Sequence, residues 1–236
     1  MSSEFSLTTF NSQGKLKQIE HALKAVSNGE TAIGIRYKDG VVLAVEKNIK
    51  SPLVDENSVR KIQQMAEHVG STYAGLTGDY RVLLQSARKQ SMKHVLTYEE
   101  PILLGSLARE TAKIFQEFTQ SGGVRPFGIS LLLAGIDSSG PQLFQLDPSG
   151  VYHEWKAVSI GKNSSNANIF LQKRYKEDLD RDDAIHMVLL ALKDGFEGTM
   201  NNRNIEIGYI DKADKKFKNL SQTEIGHILS FVNDSR

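Results

Sequence analysis

The chain has 236 residues, 39% of them hydrophobic, which is enough for one well-filled core and predicts a single domain. Its 29 basic and 28 acidic side chains leave a net charge of +1, so charge indicates neither nucleic acid nor an anionic membrane as a partner. The absence of cysteine excludes disulfides, thiolate metal sites and cysteine nucleophiles, and it fits a reducing compartment such as the cytosol or nucleus.

The chain opens with a tail over 1–13 and a predicted helix over 14–28, where apolar residues recur at intervals of three and four. Two β-branched runs follow, at 31–37 and 41–47. The Lys38-Asp39-Gly40 segment between them favours a tight turn, so the two runs predict a β-hairpin.

A third strand is predicted at 67–75, and a helix follows it. We expect Asp79 to cap this helix, which runs to about Val95. Pro101 suits the first turn of the next helix, which Gly122 ends.

Three strands at 129–135, 141–147 and 151–158 are joined by short Ser-Gly turns, so we expect an antiparallel β-meander. Helices are then predicted at 163–175 and 182–196. Asp180 and its acidic neighbours cap the second of these helices.

A last strand at 205–211 precedes a capping box, Ser221 to Glu224, that opens the final helix. Strands and helices therefore come in blocks rather than in strict alternation. This order predicts an α+β fold over 31–236, a four-layer α-β-β-α sandwich of two antiparallel sheets.

Motifs of catalysis and cofactor binding are missing from the sequence. It has no G-x-S-x-G or H-E-x-x-H motif, and its six histidines are scattered one per predicted element. Gly161-Lys162 opens a predicted helix but lacks the first glycine of a phosphate loop. No window approaches the roughly 18 consecutive apolar residues of a membrane span, and no secretory signal is apparent. We predict no catalytic site, no metal and no cofactor.

Two segments are not explained by core formation alone. SGGVRPFG at 121–128 is suited to a rigid loop that holds Arg125 and Pro126 in one pose, although an ordinary connector would look the same. NSVRKI at 57–62 contains Lys61, for which a solvated edge-strand lysine is the alternative interpretation.

The opening SLTTFNSQGKLKQIEHALKAV resembles the N-terminal signature of proteasome alpha subunits. Further similar segments follow in order along essentially the whole chain: GVVLAVEK, GDYRVLL, FTQSGGVRPFGISLLLAG, QLDPSG, WKAVSIGK, FLQKRY and DDAIH. Within that family, FSLTTF, GDYRVLL, QSGGVRPFG and FEG with IEIG look most like the alpha type-2 branch.

The resemblance implies the N-terminal-nucleophile hydrolase sandwich with an extra N-terminal helix, in a subunit without catalytic activity. Active subunits of the family expose a threonine whose free amine is its own base. Here Thr31 follows Glu30 instead of glycine and is internal, so it has no α-amine. Glu46 stands where active subunits carry aspartate, and Lys61 matches their lysine. Lys61 alone is not enough for catalysis, because active subunits use the threonine, the aspartate and the lysine together.

Binding residues are implied by the same resemblance. Lys61, with Gly75 and Leu76 as wall residues, would line a pocket between neighbouring subunits that receives the C-terminal carboxylate of activators. The tail residues would lie over the pore and form the gate: Phe5, Ser6, Leu7 and Ser12, with His21 in the first helix. Ser12 and His21 replace the Pro and Tyr of many alpha subunits, so we expect a weaker contribution of this tail to the open-gate cluster.

The implied function is that of a structural subunit of the 20S core particle in ubiquitin-dependent and other intracellular protein degradation. Its expected partners are neighbouring alpha subunits in a hetero-heptameric ring, beta subunits of the inner ring, and regulatory-particle ATPases or other activators. In such a ring, the helices over 15–26 and 101–121 should bury apolar faces against partners. An active amidohydrolase of the same fold and a free-standing binding module are the alternatives.

Overall fold

Two five-stranded antiparallel sheets lie at the centre of the structure, with helices on both outer sides. The computed structural model describes residues 8–49, 51, 53–196 and 198–234. These residues contain ten strands, six α-helices and a short 3-10 helix at Glu56–Ser58. The predicted α-β-β-α sandwich, an α+β arrangement, is confirmed.

Each sheet is antiparallel throughout. Short turns join most of the neighbouring strands. The strands are β1 (Ala32–Tyr37), β2 (Gly40–Glu46), β3 (Gln63–Ala66), β4 (Val69–Gly75), β5 (Ile129–Asp137), β6 (Gly140–Leu146), β7 (Tyr152–Glu154), β8 (Ala157–Ile160), β9 (Ile205–Asp211) and β10 (Phe217–Asn219). The first sheet has the order β10-β9-β2-β1-β8, and the second has the order β3-β4-β5-β6-β7.

The helices form the two outer layers and one end of the sandwich. They are α1 (Lys17–Ser27), α2 (Thr77–Tyr98), α3 (Leu104–Gln120), α4 (Ser164–Arg174), α5 (Arg181–Lys193) and α6 (Gln222–Asp234). Helices α4, α5 and α6 cover the first sheet, and α2 and α3 cover the second. A third apolar cluster fills the space between the sheets. Helix α1 lies across one end, against β4 and β5.

The hairpin of β1 and β2 is confirmed. Tyr37 pairs with Gly40, so the loop consists of Lys38 and Asp39. A methyl group on Gly40 would lie 2.0 Å from the carbonyl oxygen of Ile210 on the neighbouring strand. The glycine is therefore needed for strand packing as well as for the turn.

The single strand predicted at 151–158 is wrong. This segment forms two strands, of which β7 pairs with β6 in the second sheet and β8 pairs with β1 in the first. Trp155 and Lys156 connect the two sheets. The amide of Trp155 donates to the carbonyl of Leu143 in the second sheet, and the carbonyl of Lys156 accepts from the amide of Arg36 in the first. Two short strands, β3 and β10, were not predicted because their sequences, QQMA and FKN, have little β-branched content.

Two predicted helix starts are also wrong. Leu76, not Asp79, is the N-cap residue of α2, and Asp79 lies in the first turn. Pro101 precedes α3, which begins at Leu104. The amide of Leu104 donates to Asp137 at 2.9 Å, so a turn of the second sheet supplies the partner at this helix end.

Two other helix starts are confirmed. Asp180 accepts a hydrogen bond from the amide of Asp183 at 2.8 Å and caps α5. At α6, Ser221 Oγ accepts from the amide of Glu224 while the Glu224 carboxylate accepts from the amide of Ser221. Both motifs are local in sequence, which is why the pattern alone predicts them.

We expected the helices over 15–26 and 101–121 to bury their apolar faces against partner subunits. For the helix over 101–121, this expectation is wrong. Helix α3 buries Leu107 and Phe115 completely within its own chain, on the second sheet. Helix α1 differs, because Ala22 and Val26 are buried while Leu23 is 44% exposed. Of these two helices, α1 is the one that leaves a large apolar side chain of its predicted face exposed.

A prediction concerns the slot that holds Phe217 between the sheets. A methyl group on Gly70 would lie 2.1 Å from the Phe217 ring, so we expect Gly70→Ala to lower the free energy of unfolding by about 1–3 kcal/mol. Phe217→Leu should reduce this penalty in the double variant, because the shorter side chain leaves room. Urea unfolding of the full-length chain, followed by circular dichroism, measures both. Strictly additive effects would contradict the assignment of this contact.

Candidate functional site

Lys61 lies in a buried corner between the end of α1 and the two sheets. Its ammonium nitrogen is 2.8 Å from Oε2 of Glu30 and 4.2 Å from the centroid of the Tyr73 ring. The lysine side chain is 6% exposed and the Glu30 side chain 30% exposed. The cation is therefore at the bottom of the corner and the carboxylate is at its mouth. The interpretation of Lys61 as a solvated edge-strand lysine is wrong.

The backbone at Lys61 is anchored by a residue of the first sheet. The amides of Lys61 and Ile62 both donate to Oε2 of Glu206, at 2.7 and 2.9 Å. The other oxygen of Glu206 lies 3.5 Å from the buried ammonium of Lys47. Ile62 is itself buried between the sheets, so the segment that leads into β3 is fixed on both sides.

The Glu30 carboxylate is charged in this corner. Burial alone would raise the pKa of Glu30, but the hydrogen bond and charge of Lys61, together with the charge of Lys162, hold the pKa below its usual value. Glu30 therefore meets Lys61 as an anion at neutral pH. The two side chains form a charge-assisted hydrogen bond that neutralises the lysine.

A second ion pair lies close to the first. Lys162 is 3.5 Å from Oε1 of the buried Glu46, and its amide donates to the carbonyl of Gly29 at 2.9 Å. Glu46 follows the last pairing of β2 with β1, and its amide donates to the carbonyl of Thr31. Together with the pair of Lys47 and Glu206, the corner thus holds three cations and three carboxylates in a balanced arrangement.

Thr31 cannot act as a nucleophile in this arrangement. It is buried, and its hydroxyl oxygen has no hydrogen-bond partner. Its nitrogen is a peptide amide in the continuous segment from α1 through Gly29 and Glu30 to β1, so no free amine is available as a base. Lys61, the one matching residue, is paired with Glu30.

The structure brings Gly75 close to the Lys61 corner. Tyr73 under the lysine and Gly75 are on the same strand, β4, and a methyl group on Gly29 would lie 2.2 Å from the amide nitrogen of Gly75. Gly75 has φ +117°, and a methyl group there would lie 2.1 Å from the carbonyl oxygen of Gly128. Both constraints require glycine at this position. Leu76 follows at the start of α2, with its side chain 47% exposed.

Arg125 binds Asp79 through two parallel hydrogen bonds of 2.7 and 2.8 Å, and it also donates to the carbonyl of Pro126. The amide of Gly128 donates to the same aspartate, and the carbonyl of Gly128 accepts from the amide of Leu76. Burial would raise the pKa of Asp79, but Arg125 and the Gly128 amide lower it overall. The loop therefore fixes the start of α2, and with it Leu76.

The predicted gate residues are only partly described. Phe5, Ser6 and Leu7 lie outside the described residues. Ser12 and His21 are exposed, and no contact joins either of them to the Lys61 corner. In the described part of the chain, no group of three or more histidines and carboxylates is placed to hold a metal ion. None of the described helices is long and apolar enough to cross a membrane.

Two residues of the corner were missed from the sequence, Glu30 as the partner of Lys61 and Glu206 as its backbone anchor. A signal existed for Glu30, because it directly precedes Thr31 where an active subunit would have glycine. None existed for Glu206, which is an ordinary acidic residue in a strand that contacts Lys61 only in the fold.

Comparison with known proteins gives two family matches and several close relatives. Residues 26–210 match the proteasome subunit family, and residues 4–25 match the N-terminal signature of A-type proteasome subunits. The chain is 56% identical to the alpha type-2-A proteasome subunit of Arabidopsis thaliana over 228 residues, covering 97% of both chains. It is 49% identical to the alpha type-2 proteasome subunit of Drosophila melanogaster with the same coverage. It is 52% identical to the Dictyostelium discoideum protein of that name, with 94% of each chain covered.

A prediction follows from the pair of Asp79 and Arg125. We expect Asp79→Asn to lower the free energy of unfolding by roughly 1–3 kcal/mol at neutral pH, because a charge-assisted hydrogen bond is lost. The pKa of Asp79 is lowered from 3.8 in the fold, so this stabilisation is present above that value and disappears as the pH falls through the folded pKa. Urea unfolding at several pH values measures the difference between wild type and variant.

The expected difference is constant between about pH 8 and pH 4.5 and shrinks only in stronger acid. Asp178→Asn, at an exposed position, is the matched control and should change stability little. A difference that already shrinks near neutral pH would contradict the depressed pKa.

Proposed function

Because the chain belongs to the proteasome subunit family, and within it to the alpha type, we propose that it gates the passage of substrates and docks regulatory particles at the outer ring of the 20S core particle. It is a non-catalytic, structural subunit of that particle, and it assembles with other proteasome subunits. We further propose that it works in the cytoplasm and nucleus, in ubiquitin-dependent and other intracellular protein degradation.

The observation that carries this proposal is the ion pair of Glu30 and Lys61. It fills the corner where an active subunit would hold a free threonine, and the chain continues upstream of it into α1. A corner without a nucleophile but with a lysine at its bottom is suited to binding an anion rather than to cleaving a peptide. We propose the C-terminal carboxylate of an activator as that anion, with regulatory-particle ATPases as the main source.

Gly75 and Leu76 support this use of the corner. The Arg125 loop fixes the backbone at Leu76, while the Leu76 side chain remains about half exposed. Leu76 follows the strand whose Tyr73 ring covers the buried cation, and an exposed apolar side chain near such a cation suits a peptide end, which has both a carboxylate and side chains. We propose that these residues form the wall of the activator pocket, together with a neighbouring alpha subunit.

The tail over 1–13 is proposed as the gate, and α1 as the part that holds it at the ring surface. Phe10 in the segment before this helix and Leu23 on the helix both have exposed apolar side chains. Such side chains are suited to contacts with neighbouring alpha subunits of a hetero-heptameric ring.

The opposite end of the sandwich has a different surface. A groove of about 850 Å³ lies beside the last turns of α2, and Met92, Val95 and Leu103 are among its apolar lining residues. Leu96, on the next position of α2, is 78% exposed. Strand β4 separates this groove at His68 from Gly75 by roughly 20 Å, at about 3.3 Å per residue. We propose that this end docks beta subunits of the inner ring while the α1 end meets activators.

One prediction concerns assembly and processing. Native mass spectrometry of the purified complex should find this chain in a large ring particle, and the denaturing mass of the same sample should show residues on the N-terminal side of Thr31 still attached. A small particle whose chain begins at Thr31 and which cleaves peptides would contradict the proposal and indicate an active amidohydrolase.

A second prediction concerns Lys61. We expect Lys61→Met in assembled core particles to reduce capture of a synthetic peptide with the C-terminal sequence of a regulatory-particle ATPase by at least about tenfold, because the cation is lost. A photoreactive group in the peptide allows the adduct on this 26.2 kDa chain to be measured by mass spectrometry, separately from its neighbours.

The same peptide with a C-terminal amide is the control, and its weak capture should not depend on Lys61. Equal capture of the free-acid peptide by wild type and Lys61→Met would refute the docking role.

A further inference from the structure

We propose that Glu30 is a built-in competitor at the activator pocket, which an incoming carboxylate must displace from Lys61 before it can bind. This inference rests on the proposed docking function of Lys61. It adds a specificity-determining residue that the family resemblance does not assign.

The first argument is geometric. The Lys61 ammonium has Glu30 at 2.8 Å on one side and the Tyr73 ring at 4.2 Å on another, and the side chain is almost completely buried. A lysine has three protons to donate, but two carboxylates at one ammonium in a confined space repel each other. Capture of a terminal carboxylate therefore requires Glu30 to move away.

The charge balance leads to the same conclusion. The corner contains three ion pairs with equal numbers of cations and carboxylates: Lys61 with Glu30, Lys162 with Glu46, and Lys47 with Glu206. An additional anion would give this partly buried corner a net negative charge unless Glu30 leaves it. Exchange of one carboxylate for another keeps the charges balanced.

Glu30 is placed so that it can leave. Its side chain is 30% exposed, whereas Lys61 is 6% exposed, so rotation of Glu30 takes it into water without opening the core. Its backbone is held in place, because the neighbouring Gly29 donates to Val26 and accepts from the amide of Lys162. The displacement is therefore a side-chain rotation and needs no unfolding of α1 or β1.

Competition by Glu30 sets a minimum binding free energy that a ligand must supply before it can replace Glu30 at Lys61. A free anion must break an existing ion pair to gain a similar one, so it gains little from binding. A peptide end also gains contacts with the exposed Leu76 side chain, and this additional free energy favours the exchange. Glu30 thus restricts Lys61 to ligands that combine a carboxylate with side-chain contacts.

The test uses core particles that contain Glu30→Gln in this chain and the photoreactive peptide described above. Glutamine keeps the shape of the side chain without its charge, so we expect the free-acid peptide to reach half-saturation at a concentration about tenfold lower than with wild type. Capture of the amidated peptide should not change. Glu20→Gln, which removes an exposed carboxylate of α1, is the matched control and should leave both titrations unchanged.

Lys61→Met, measured in parallel, distinguishes failure of the competition by Glu30 from failure of the docking function of Lys61. If Lys61→Met abolishes capture while Glu30→Gln leaves it unchanged or weakens it, competition by Glu30 is refuted and the docking function stands. If neither substitution alters capture, the docking function itself fails.

Glu30→Asp replaces Glu30→Gln if the latter does not assemble, as judged by native mass spectrometry. The shorter carboxylate keeps its charge but reaches Lys61 less well, so we expect a smaller gain in the same direction. No gain with this variant would also overturn the proposal.

Discussion

The ion pair of Glu30 and Lys61 is the contact on which the rest of this corner depends. A buried ammonium without an anionic partner is costly, so the segment before β3 can pass through the interior only because Glu30 meets the lysine there. The Tyr73 ring covers another side of the cation, and Glu206 binds the backbone of the same segment. Removal of Glu30 alone or Lys61 alone would leave an unpaired charge, which costs more than the intact pair contributes.

The same contact explains how a hydrolase fold exists here without hydrolase chemistry. In the corner, the two ionisable side chains that could serve catalysis have structural partners instead: Lys61 binds Glu30, and Glu46 lies beside Lys162. Thr31 is locked in a peptide bond at the start of β1. Because the charges compensate one another, the sandwich keeps a polar corner between its sheets without an unpaired buried ion. The arrangement leaves the Lys61 ammonium at the bottom of the corner, with the Glu30 carboxylate at its mouth.

Features that depend on residues close together in the sequence could be predicted. Predictions were wrong where a contact with a residue distant in the sequence determines the structure. The β1–β2 hairpin and the caps at Asp180 and Ser221 follow from local rules and are confirmed. The predicted starts of α2 and α3 are wrong because the hydrogen-bond partners of these helix ends, Arg125 and Asp137, are distant in the sequence. The segment 151–158 divides between two sheets, a choice that tertiary pairing makes. For the site, the family resemblance pointed to Lys61, but its burial and its partner are properties of the fold.

Close packing around α1 means that a displacement at this end of the sandwich is passed to the elements in contact with it, because a packed protein interior has low compressibility and transmits strain. At the α1 end, Gly29 follows the helix and meets Gly75 so closely that not even a methyl group fits between them. Gly128 links the same wall to α1, since a methyl group there would meet both Leu76 and Ala25. The Gly75–Leu76 segment and the last turn of α1 are therefore packed tightly enough to move together. Under the proposed function, a carboxylate at Lys61 would therefore act beside this junction, and α1, which leads to the proposed gate, would be the element in direct contact with it.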